Sequence, residues 1–142
     1  MSSKEKLRIS EELSDLENVM VDTSVLIEYS KAKKLEMLDD SHISVITLIE
    51  FLRYYRDDRT RKELKSLLES FFKVVSLDNE VVLTYCNLHN SLKERGLQIG
   101  DADLLIASCA LSKDLTLYTL DLRHFERLEE FGLKLLRIEG GV

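Results

Sequence analysis

Short strand-length runs rich in apolar residues recur along this chain, most of them followed by residues with helical spacing. Val19-Met20-Val21 is the first of them, ending abruptly at Asp22. A strand that is apolar on both faces needs a sheet covered on both sides, the setting of a central parallel strand. Residues 42–45, 73–76, 115–119 and 134–138 read as four more strands. Between them lie helical patterns at 25–29, from Thr47 to about 56, at 58–72, from Asp78 to about 95, at 102–111 and at 123–131. Asp78 suits an N-cap and Gly96 a residue just past a helix end. Gly100-Asp101 opens the helix after it, with Asp101 the better N-cap of its two acids. Strands alternating with helices imply right-handed βαβ units, and so a three-layer α/β/α sandwich around a five-stranded parallel sheet.

The chain has 142 residues, 44% of them hydrophobic, which suits one domain with one core. Residues 1–17 are polar and charged, with weak helical spacing at Leu7, Leu13 and Leu16; they read as an N-terminal extension to a domain spanning 18–142. A net charge of -6 argues against a sequence-independent nucleic-acid coat, which would be basic. No signal peptide and no long apolar span is visible, so a cytoplasmic protein with no membrane association is expected. Cys86 and Cys109 lack zinc-ligand spacing and fall in apolar helical patterns, where buried thiols are expected.

Ligands of doubly wound sheets bind beyond the carboxyl ends of the strands. Asp22, Glu50, Asp103 and Asp121 stand at such positions. Each also has a simpler role open to it. Asp22 can cap a helix, Thr47-x-x-Glu50 fits a capping box, Asp103 lies in the first turn of a helix, and Asp121 can sit in a turn. Asp103 is the most demanding, because Leu104-Leu105-Ile106-Ala107 follows it at once. Four carboxylates converging on one sheet edge repel one another and lose water unless a divalent cation lies among them. Oxygen-only ligation selects Mg²⁺ or Mn²⁺ over zinc. Such ions serve phosphodiester hydrolysis.

The motifs Val21-Asp22-Thr23-Ser24, Ser44-x-x-Thr47-x-x-Glu50, Ile99-Gly100-x-x-Asp103 and Thr119-x-Asp121-x-x-x-Phe125, in that order, resemble the PIN domain and, within it, the VapC-type toxin ribonucleases. The resemblance spans about 19–138. It implies an Mg²⁺- or Mn²⁺-dependent endoribonuclease with Asp22, Glu50, Asp103 and Asp121 as metal ligands, and it chooses Asp103 over Asp101. It also implies a homodimer and a small antitoxin partner. Two departures stand out: His124 occupies a place where many relatives carry Asp, and 17 residues precede the usual start.

On this reading Thr23, Ser24, Thr119 and Asp101 support the ligating acids from behind. Arg53, Arg56, Arg59 and Arg61, interleaved with Tyr54 and Tyr55, form a candidate RNA-binding patch, or else a solvated helix face with one tyrosine in the core. Lys31, Lys33 and Lys34 form a smaller patch of the same kind. A housekeeping nuclease for ribosomal or transfer RNA and a non-catalytic PIN scaffold are the alternatives. A phosphotransfer receiver domain fits poorly, because its acceptor Asp and its Lys have no counterparts in place.

Overall fold

A computed structural model describes residues 16–138. After a 3-10 turn at Leu16–Asn18 come β1 (Val19–Val21), α1 (Thr23–Lys31), β2 (His42–Ser44), α2 (Val45–Leu52) and α3 (Asp58–Phe71). Then follow β3 (Lys73–Val75), α4 (Asn79–Glu94), α5 (Asp101–Ser112), β4 (Thr116–Tyr118), α6 (Leu122–Glu126) and β5 (Lys134–Leu136). All strand pairs are parallel, in the order β3-β2-β1-β4-β5. This is the expected five-stranded sandwich. Leu7 and Leu13 of the proposed extension lie outside the described residues.

The period-two geometry of the strands divides the core into two layers. Val19, Val21 and Tyr118 face Leu26, Tyr29, Phe51 and Leu68 of α1, α2 and α3. Met20 and Leu117 face Val81, Leu88, Leu104, Ile106 and Phe125 of α4, α5 and α6. Met20 and Val21 are fully buried, as the unbroken apolar run of β1 requires. The chain order reverses direction between β1 and β4, so a crevice opens beyond their carboxyl ends.

Local capping chemistry corrects three expectations. Helix α2 begins at Val45, because Ser44 Oγ accepts the Ile46 amide at 2.9 Å. Thr47 is therefore the third residue of the helix, not its cap, and forms no capping box with Glu50. Gly100, not Asp101, is the N-cap of α5. Cys86 is exposed on α4, whereas Cys109 is buried as expected. Asp78 does cap α4, accepting the Val81 amide at 3.0 Å. That helix ends with Gly96 at φ +68°, its amide on Lys93 O and the Leu97 amide on Leu92 O, a Schellman closure.

Candidate active site

The end of β1 delivers Asp22 into the crevice, and its amide hydrogen-bonds Tyr118 O across to β4 at 2.9 Å. Asp22 is the N-cap residue of α1, yet its side chain makes no capping bond. Instead Oδ2 accepts the Thr119 hydroxyl at 2.7 Å and the Ser24 hydroxyl at 2.9 Å. The carboxylate is only 4% exposed. Burial pushes its pKa up, the two hydroxyls and the Thr23 amide pull it down, and the charge of Asp103 pushes it up again. A carboxylate kept almost dry beside another acid is hard to explain as a cap.

The hydroxyls tie the strand ends together. Ser24 Oγ accepts the Leu120 amide at 3.1 Å, and Thr119 Oγ1 accepts the Asp121 amide at 3.0 Å. The loop after β4 is thereby fixed onto the start of α1, with Asp121 at its tip. On the other side, the Thr23 hydroxyl is shared between Glu50 Oε1 at 2.7 Å and the buried Thr47 Oγ1 at 3.0 Å. Glu50 is thus aimed by a residue adjoining Asp22, and not by its own helix terminus.

His124, which the sequence marks only as a departure from a pattern, occupies the opposite rim. Its Nδ1 lies 3.0 Å from Asp103 Oδ2 and 3.2 Å from Asp121 Oδ2. The spacing of three residues from Asp121 on a helix was the available signal. Two hydrogen-bonded groups therefore hold the four sequence-predicted acids: Thr119, Ser24 and His124 connect Asp22, Asp121 and Asp103, and Thr23, next to Asp22 in the chain, holds Glu50. Asp101 is the exception. Its carboxylate turns away to accept the Tyr85 hydroxyl at 2.6 Å.

The arginine patch is mixed. Arg61 is a structural residue, donating to Tyr55 O at 2.6 Å and 3.0 Å. Arg59 pairs with Glu63 on the solvent face. The Arg53 guanidinium lies over the exposed Tyr54 ring, whereas Tyr55 packs on Phe51 in the core.

The donor set fits a hard divalent cation: carboxylate oxygens around a nearly dry acid, rimmed by hydroxyls and one imidazole. Among the described residues, no three of the acids, histidines or cysteines are drawn together closely enough to grip an ion directly. Each acid is held instead on a hydroxyl or imidazole donor.

A parallel α/β sandwich with acids gathered at its switch point is an α/β fold whose candidate site lies where such sheets bind their ligands. Residues 19–130 match the model of the PIN domain, so the chain belongs to the PIN domain family. It is 41% identical over 117 residues to Ribonuclease VapC1 of Methanocaldococcus jannaschii, covering 82% of this chain and 85% of that protein. It is therefore a homologue of the VapC ribonucleases. Among solved structures, VapBC-1 from nontypeable Haemophilus influenzae superposes with a TM-score of 0.68 at 27% identity, covering 82% of this chain and 95% of that one. DNA-bound VapBC from Salmonella typhimurium shares the fold with a TM-score of 0.71 at 23% identity, covering 83% and 96%. Among the described residues no helix is long and apolar enough to cross a membrane.

Proposed function

We propose that this chain is an endoribonuclease, the toxin of a toxin–antitoxin pair, and that Asp22, Glu50, Asp103 and Asp121 hold Mg²⁺ or Mn²⁺ for RNA phosphodiester hydrolysis. The observation that carries this reading is the nearly dry Asp22 carboxylate at the switch point, linked through Thr119 and His124 to Asp121 and Asp103, with Glu50 held by the neighbouring Thr23. A bound divalent ion would offset the clustered charge, engage a phosphate oxygen and lower the pKa of water. Thr23 orients Glu50, and Thr119 and Ser24 hold Asp22 while fixing the backbone that presents Asp121. His124 holds Asp103 and Asp121 in a common orientation. Arg53, Arg56 and Arg59 are the arginines of the patch open to the RNA backbone, since Arg61 is held on Tyr55 O.

A small antitoxin is the proposed partner. A cleft of about 380 Å³ lined by Ile27, Lys31, Phe51, Tyr54 and Tyr55 offers an apolar seat near Glu50, and Tyr54 is 69% exposed there. The solved VapBC complexes support a partner of that kind. A homodimer is the proposed assembly, for which the exposed Leu77, Val82 and Leu83 supply apolar area. The test is cleavage of total RNA with Mg²⁺ or Mn²⁺, abolished by chelation and restored on returning the ion. Cleavage unaffected by chelation would overturn the metal reading.

A further inference from the structure

A second cleft, of about 670 Å³, lies between the end of α4 and the start of α5. Its floor is the buried Leu92 and Leu104. Asp101 and Leu104 flank Asp103 along α5, so the cleft lies at the same end of that helix as Asp103, on a face turned away from it. Its rim carries His89, Lys93, Gln98 and Asp101. The volume is that of a small-ligand site.

Three features of the rim are organised. Asp101 is held by the Tyr85 hydroxyl through one oxygen, Oδ1, which fixes the carboxylate in place. Tyr85 in turn stacks on His89, with ring centroids 5.9 Å apart and planes 25° apart, which backs the one aromatic ring that lines the cleft, His89. Lys93 makes no ion pair, and the Gln98 amide no hydrogen bond, with any described residue. A Cβ at Gly100 would meet nothing within 4 Å, so the approach over the loop is open.

We propose that this cleft is a nucleobase subsite for the RNA substrate and that it selects guanine beside the cut phosphate. The proposal rests on the ribonuclease reading above. Single-stranded RNA is read by stacking its unpaired bases and bonding their Watson–Crick edges. A fixed carboxylate accepts two adjacent donors best, and among the four bases only guanine offers them, as N1–H and the 2-amino group. Cytosine and adenine present an amino group next to an acceptor, and uracil a single N–H between two acceptors. Lys93 complements guanine O6 or the flanking phosphate. Gln98 supplies one donor and one acceptor at the rim. An acid in a nucleic-acid groove repels phosphate, so its presence here favours contact with a base edge over contact with the backbone.

The test has two arms. In the first, guanosine, inosine and adenosine 5′-monophosphates are titrated into the full chain without metal and followed by amide NMR. GMP shifts residues 98–104, whereas IMP, which lacks the 2-amino group, and AMP bind at least about tenfold more weakly, a difference of about 1.4 kcal/mol. Asp101→Asn removes the preference. Equal binding of GMP and AMP, or no shift at these amides, overturns the proposal. In the second, cut sites are mapped on an RNA of mixed sequence. Guanosine is enriched at one fixed position beside the cut, and inosine there slows cleavage. Cuts with no fixed guanosine, or unaffected by inosine, overturn it as well. A chain that cuts no RNA at all contradicts the ribonuclease reading, and the nucleotide titration then decides the subsite by itself.

Discussion

Asp22 links the electrostatics of the site to the stability of the fold. Its folded-state pKa is raised, chiefly by burial. The folded protein therefore binds more protons than the unfolded chain between the ordinary carboxylate pKa and the raised one. Stability falls as pH rises through that window, and the penalty is complete above it. Asp22→Asn keeps the shape without the charge. It is expected to raise the melting temperature of the metal-free protein at neutral pH, with the advantage vanishing on acidification below the ordinary carboxylate range. Thermal melts with chelator across that pH range check this. Thr23→Val should release Glu50 and lower Mg²⁺ affinity or cleavage by about 10–100-fold, as losses of supporting hydrogen bonds to ligands commonly do; metal titration of the cleavage rate reads it.

At the scale of elements, much was legible because the local chemistry was unambiguous. Runs of strand length rich in apolar residues located β1 to β5 to within two residues at each end, and Asp78 and Gly96 marked the ends of α4. Asp78→Ala should lower stability through the lost cap and the lost Lys113 ion pair together. Gly96→Ala should cost about 1–2 kcal/mol for its left-handed φ alone, since a Cβ there touches nothing. Denaturant unfolding measures both. The errors arose where two caps competed. Ser44 and Thr47 both suit the start of α2, and Ser44 wins because its position directly at the end of β2 leaves no room for a linker. Gly100 displaces Asp101 in the same way, freeing its carboxylate for Tyr85. Cys86 shows the limit of reading burial from hydrophobic spacing, because α4 leaves Val82, Leu83 and Cys86 exposed. His124 was legible as a residue but not as a contact, since its meeting with Asp103 joins positions 21 apart.

On the scale of the whole molecule, the sheet order makes the site. Asp22 and Asp121 follow the two strands that flank the switch point, and α1, α2 and α5 bring Thr23, Glu50 and Asp103 to the same edge. That convergence needs both core layers to stay packed. Ile106 is fully buried in the layer beneath α5. Ile106→Ala should cost about 2–5 kcal/mol, seen as a lower melting temperature, and should weaken cleavage through the placement of Asp103. The central claim is that the acids at this edge are the hydrolytic site. Its most direct test is the rate at which Asp103→Asn cleaves RNA at saturating Mg²⁺, compared with the unmodified chain and with folding verified by circular dichroism. The account predicts loss of Mg²⁺-dependent cleavage in a folded protein. An undiminished rate in a folded Asp103→Asn variant would contradict it.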